Sequence, residues 1–113
     1  VFNLTIGEKS FLFTGDLEEE GDHVLSRFGS YLKSDILKIA HHGSITSSTP
    51  QFLKEVQPKY AIVSVGEGNK FRHPSDIVMD RLRDLNIQIK RTDLLGAIWF
   101  KTNGKDMWEH KWK

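Results

Sequence analysis

Apolar positions recur along this chain in two rhythms. Val1 to Ile6 alternates apolar and polar residues as a strand does, Gly7-Glu8-Lys9 turns the chain, and Phe11 to Thr14 reads as a second strand. Residues 17–33 switch to helical spacing. Val24, Leu25, Phe28 and Leu32 form its stripe, Asp16 stands where a cap belongs, and Glu18, Glu19 and Glu20 suit the positive end of the dipole. Ile36 to Ala40 is a short strand of the buried type, followed by a polar loop from His41 to Thr49. Thr49-Pro50 then predicts a capped helix start, with the helix running to about Val56. Tyr60 to Val65 is another apolar strand, broken by Gly66-Glu67-Gly68-Asn69. Pro74-Ser75 opens a helix whose buried face is Ile77, Val78, Leu82 and Leu85. Ile87 to Arg91 and Ala97 to Thr102 are strands, and Asn103-Gly104 pairs the latter in a hairpin with Met107 to Trp112. Strands alternate with helices over most of the length, so the fold class is α/β with antiparallel strands at both ends.

Composition narrows this further. With 113 residues the chain is one domain or part of one, and 38% hydrophobic with 27% charged residues excludes a disordered or collagen-like chain. The absence of cysteine removes disulfides, thiolate metal sites and thiol nucleophiles. No apolar run approaches a membrane span, and no signal peptide opens the chain. A strand at the first residue, without an initiator methionine, leads us to expect a piece of a larger protein. The net charge of +1 gives no overall pull toward nucleic acid. It is unevenly spread, with three Lys/Arg against seven Asp/Glu in residues 1–35 and thirteen against eight thereafter.

The candidate chemistry lies at three places where an apolar strand gives way to polar residues ahead of a helix. These are Phe13-Thr14-Gly15-Asp16, Ile39-Ala40-His41-His42-Gly43-Ser44, and Val65-Gly66-Glu67-Gly68-Asn69 running on to His73-Pro74. If the strands are parallel and adjacent, the three ends share one sheet edge, where α/β proteins place ligands. Carboxylate and imidazole there suit a divalent metal. Asp16 alone reads first as a helix cap, and His73 alone as a structural residue before proline; it is the three together that point to a site. On an extended backbone His41 and His42 point to opposite sides, so one of them is expected to face a ligand. Gly43-Ser44 offers amides and a hydroxyl to an anion. His23 lies within the first helix. His110 alternates with Trp108 and Trp112 along a strand, which reads as a packing surface. The phosphate-loop lysine is missing from the Gly66 segment, and Ser44 and Ser64 lack a nucleophile elbow.

Taken in order, Phe11 to Asp16, Asp35 to Ser44, Pro58 to Gly66, Asn69, His73-Pro74 and Arg91-Thr92-Asp93 resemble the metallo-β-lactamase-like domain of the ComEC family, membrane channel proteins of bacterial DNA uptake. The resemblance runs from Phe11 to about Ile98. It implies an αββα sandwich of two similar halves, of which residues 1–113 form a partial domain, the C-terminal half: a mixed sheet with flanking helices and a C-terminal β-hairpin. The first metal motif of that superfamily, His-x-His-x-Asp-His, is absent here. By the resemblance Asp16 matches the carboxylate that bridges two metals, zinc or manganese, and His73 matches the last histidine ligand. His42 and His41 match a histidine near the scissile phosphate, with metal ligation as the alternative, and Ser44 and Asn69 are placed as substrate contacts. The implied activity is metal-dependent hydrolysis of DNA, with the fragment alone inactive. The implied partners are DNA, the N-terminal half of the same domain, a membrane channel and a second copy of the fragment. The implied setting is a soluble extracytoplasmic domain of a bacterial membrane protein. The rival expectations are hydrolysis of another phosphodiester, a lactone or a lactam, and a half-domain without catalysis.

Overall fold

The computed structural model describes residues 1–68 and 73–110. Five strands make one sheet: β1 (Phe2–Ile6), β2 (Lys9–Phe13), β3 (Ile36–Lys38), β4 (Tyr60–Val63) and β5 (Gln88–Arg91), in that spatial order. β1 and β2 are antiparallel, whereas β2, β3, β4 and β5 are parallel neighbours. The crossovers carry α1 (Glu19–Ser26), α2 (Pro50–Val56) and α3 (Asp76–Asp84). Crossovers of one hand between strands that follow each other across a sheet put all their helices on the same face. Leu12, Leu37, Ala61 and Val63 point to that face and meet Leu32, Phe52, Leu53, Val56, Val78, Met79 and Leu82 in the core.

The opposite face is also apolar but only partly covered. The strand register puts Phe2 and Leu4 beside Phe13 and Phe11, then Ile36, Tyr60 and Ile62 beyond them. Over part of this face lies a hairpin of β6 (Trp99–Thr102) and β7 (Met107–His110). Phe100 meets Tyr60 with ring centroids 4.9 Å apart, Lys90 donates to Glu109 at 3.1 Å, and Glu8 N–H donates to the Gly104 carbonyl at 2.6 Å. Phe2 remains 60% exposed and Phe13 42%. Among the described residues no helix is long and apolar enough to cross a membrane.

Several local expectations change. The helix expected over 17–33 is α1 followed by a separate tight turn at Gly29–Leu32, because Gly29 takes a positive φ of 55° and ends the helical run. Its N-cap is Glu18, not Asp16. Of the proposed stripe, Leu32 is buried, while Val24 and Phe28 are exposed. In α3 it is Met79 that is buried and Ile77 that faces out. The 97–102 strand starts only at Trp99, and α4 (Thr92–Leu95) precedes it. The hairpin loop is longer than a two-residue turn: Asn103 Oδ1 accepts from the amides of both Lys105 and Asp106 and closes an Asx turn. Of the set expected to form a packing surface, His110 packs on the edge of the Trp99 ring, Trp108 is 45% exposed, and Trp112 lies outside the described residues. Thr49 behaves as expected, its hydroxyl accepting from Phe52 N–H at 3.3 Å with Pro50 at the first helical position.

One buried carboxylate ties the helical layer together. Asp22 of α1 is fully buried, and its Oδ2 accepts from Thr49 N–H at 2.8 Å, holding the start of α2. Burial raises its pKa above the ordinary carboxylate value, with the Thr49 hydrogen bonds opposing. A raised folded-state pKa stabilises the fold fully below the ordinary value, and that contribution is lost as pH rises through the raised one. Asp22→Asn keeps an acceptor for Thr49 and removes the titration. Its stability should lie within about 1 kcal/mol of the parent at neutral pH, the net worth of one hydrogen bond. The acid-side gain should vanish, which urea midpoints followed from pH 3.5 up to pH 7 will check.

Candidate active site

The C-terminal ends of β2, β3 and β4 adjoin, as the parallel register requires. After β2 the chain turns at Gly15, with φ at 59°, and leaves Asp16 exposed at the edge. After β3 it enters a tight turn at Ala40–Gly43 in which His41 (φ 51°, ψ 40°) and His42 (φ 55°, ψ 25°) are both left-handed. This overturns the extended backbone expected there. For an L-residue that conformation costs roughly 1–2 kcal/mol, so tertiary contacts must impose it. Three do so. His41 N–H donates to the Gly15 carbonyl at 2.8 Å, Ser75 N–H donates to the Gly43 carbonyl at 2.8 Å, and His42 Nδ1 lies 2.7 Å from the Ser64 carbonyl oxygen. The segments after β2 and β4 and the start of α3 thus each grip the histidine turn.

Gly43 is needed at the centre of that grip. Its φ is 85°, and a Cβ on it would sit 2.5 Å from Pro74 Cβ. Gly43→Ala should cost about 2–4 kcal/mol, from the left-handed penalty plus overpacking against proline. Chemical denaturation measures it, and a loss under 1 kcal/mol would mean that the turn is not held as described.

The grip gathers the imidazoles. The His41 and His73 rings lie 6.0 Å apart, and His73 joins Pro74 through a cis peptide bond. Burial, and then the charges of His41 and His42, hold the His73 pKa below the ordinary histidine value. At neutral pH it is therefore the neutral, lone-pair-bearing form. His41 Nδ1 is buried without a hydrogen-bond partner, and the nearest carboxylate oxygen, Glu18 Oε1, stands 3.8 Å away. His42 is exposed and turned toward β4. Lys38 projects from the last residue of β3, where its charge senses Asp16. Burial lowers its pKa and Asp16 partly restores it, while Nζ donates to the Ile39 carbonyl at 3.1 Å.

Not every expected contact is brought in. Ser44 is buried, and its hydroxyl is engaged by the Thr46 hydroxyl at 2.9 Å and Thr46 N–H at 3.3 Å, so it braces the loop. Asn69 lies outside the described residues. His23 pairs with Glu19 at 3.6 Å on α1, and His110 meets the edge of Trp99 at 4.3 Å.

The donor types at this edge suit zinc or manganese, and the unpartnered His41 Nδ1 is the kind of buried nitrogen that a ligand would satisfy. The number falls short. Among the described residues no group of three or more His, Cys, Asp or Glu is placed to hold a metal ion.

On the far side of the edge Arg91-Thr92-Asp93 follows β5, a segment that the resemblance included but to which sequence reasoning gave no role. Arg91 forks onto Asp93, Nε to Oδ1 at 3.0 Å and Nη2 to Oδ2 at 2.6 Å. The fork raises the Arg91 pKa and depresses that of Asp93. The Thr92 hydroxyl accepts from Val65 N–H at 2.8 Å and reaches the Val65 carbonyl at 2.9 Å. The signal available in the sequence was a small hydroxyl residue between opposite charges immediately after a strand.

These histidines and the aspartate lie at the carboxyl ends of the strands, where open α/β sheets place their ligands. The chain belongs to the metallo-beta-lactamase superfamily, whose family model matches residues 1–67. It is 42% identical over 101 residues to competence protein ComA of Neisseria gonorrhoeae, covering 88% of this chain and 15% of that protein. It is 39% identical over 95 residues to ComE operon protein 3 of Bacillus subtilis, covering 84% of this chain and 12% of that protein. Recombination protein 2 of Haemophilus influenzae is 35% identical over 92 residues, covering 81% of this chain and 11% of that protein. These relatives are ComEC-family competence proteins, as the motif order implied. The chain spans no more than 15% of their length.

Proposed function

We propose that this chain is the C-terminal half of a metal-dependent DNA hydrolase domain that works in DNA uptake. The observation that carries the proposal is the gathering of His41, His42 and His73 at the adjoining ends of parallel strands, beside Asp16. The names of the relatives support a setting in competence, and in this reading DNA is the substrate. In this reading Asp16 and His73 hold metal together with histidines from the upstream half. His41, 6.0 Å from His73 and with Nδ1 unpartnered, lies between the two roles given it, metal ligand and substrate contact. Bound metal would supply an activated water and charge for the developing anion. His42 faces the phosphodiester through Nε2, its Nδ1 being committed to Ser64, and in its protonated form gives the Nε2 proton to the leaving oxygen, returning to the neutral ring. The upstream half also covers the apolar face of β1 and β2, and the whole domain sits on the outer side of the membrane. Nothing in the geometry favours a lactam or lactone over a phosphodiester; the competence relatives favour DNA.

Isothermal titration of the chain with zinc and with manganese tests the half-domain reading. Weak or undetectable binding is expected from this chain, and tight binding of two metals from the chain with its upstream half restored. Tight two-metal binding by the chain alone would contradict it.

A further inference from the structure

A carbonyl oxygen carries no proton, so the 2.7 Å contact between His42 Nδ1 and the Ser64 carbonyl requires the hydrogen to sit on Nδ1. The neutral ring then presents Nε2 as a bare lone pair. Which nitrogen is free therefore depends on how firmly that one carbonyl is aimed. Ser64 lies just past the end of β4, beyond the sheet ladder that would ordinarily orient it. Val63 before it is still paired with Arg91 of β5, and a single side chain bonds to both neighbours of Ser64. Thr92 Oγ1 accepts from Val65 N–H at 2.8 Å, and its hydroxyl hydrogen is shared between the Val65 carbonyl at 2.9 Å and the Val63 carbonyl at 3.4 Å. One hydroxyl thus clamps the residues on both sides of Ser64. Thr92 stands at the start of α4 between the two partners of the Arg91–Asp93 fork, which ties its neighbours on either side together.

We propose that Thr92 is a positioning residue for His42: by fixing the main chain on either side of Ser64 it aims that carbonyl at Nδ1 and leaves Nε2 as the nitrogen offered to the site. The chain of contacts spans the start of α4, the end of β4 and the histidine turn, three segments far apart in sequence, and uses only one side-chain hydroxyl. It also explains how a strained left-handed histidine keeps one ring orientation. The contact to Ser64 is worth little unless the acceptor is itself rigid.

The inference rests on the reading that His42 serves the site, but its test needs neither metal nor substrate. Long-range proton–nitrogen spectra of the imidazoles in this chain report the tautomer of each ring. The unaltered chain should show His42 in the Nδ1–H form; an Nε2–H form there would overturn the proposal without any variant. Thr92→Ser, which keeps the hydroxyl, should preserve the Nδ1–H form. Thr92→Val, which keeps the shape and removes the hydroxyl, should turn His42 into a mixture with the Nε2–H form while His23 and His110 stay unchanged. If Thr92→Val does not fold, Thr92→Ala makes the same comparison against Thr92→Ser. Retention of a single Nδ1–H tautomer in the hydroxyl-free variant would overturn the assignment. Absence of DNA hydrolysis in the complete domain would defeat the functional reading and leave the tautomer result standing.

Discussion

Asp16→Asn in the domain with its upstream half restored should abolish both metal content and turnover. The amide keeps the shape of the side chain and removes the charge that a bridging position between two cations requires. Asp16 is well placed for such sensitivity, because it stands exposed on the turn after β2 rather than serving as a cap for α1. His73→Ala should lower occupancy of one metal. His42→Ala should behave differently, leaving metal content nearly intact while turnover falls about 10²–10⁴-fold, the usual scale of acid–base assistance. His41→Ala discriminates between the two roles left open for that residue, since its ring adjoins His73 and not the Ser64 carbonyl. Metal analysis on the samples used for kinetics separates the classes. Loss of metal in His42→Ala with none lost in His73→Ala would exchange the two assignments. Unchanged turnover per folded molecule in all four would return them to surface residues.

The second large effect concerns the bare sheet face. Phe2, Leu4, Ile6 and Phe13 are all exposed, and among the described residues no strand pairs with the outer edge of β1. Burying even part of such a surface is worth about 25 cal/mol per Å², and an open edge strand invites pairing. The chain alone should therefore self-associate as its concentration rises, seen as increasing mass in sedimentation equilibrium. Phe2→Lys puts a charge on both the edge and the apolar face and should weaken association at least about tenfold, the effect of 1.4 kcal/mol. A monomer at every concentration would show that the face needs no cover.

The layout of β2, β3 and β4 was legible because each lies in an apolar run followed by glycine or histidine, and such runs suit strands inside a parallel sheet. Hence the shared edge for Asp16, His41-His42 and His73 followed from the sequence, as did the Thr49 and Ser75 helix starts, where Ser75 Oγ accepts from Ile77 N–H at 3.3 Å. Local chemistry decides those features. The histidine turn was not legible. Nothing in His41-His42 favours a left-handed backbone; the Gly15 carbonyl, the Ser64 carbonyl and the packing of Pro74 on Gly43 impose it from distant segments. Asp16 matched the rule for a cap, yet the helix begins later and leaves the carboxylate free. Ile77 and Met79 exchange roles because both fit the spacing of α3, and only the neighbouring elements select between them. The part played by Thr92 was hidden for the same reason, since its partners are 27 and 29 residues away.

The central claim is tested most directly by DNA cleavage. The domain with its upstream half should hydrolyse DNA in the presence of manganese or zinc, lose that activity on chelation, and regain it when the metal is returned. A folded, metal-loaded domain that leaves both single-stranded and duplex DNA intact would contradict it.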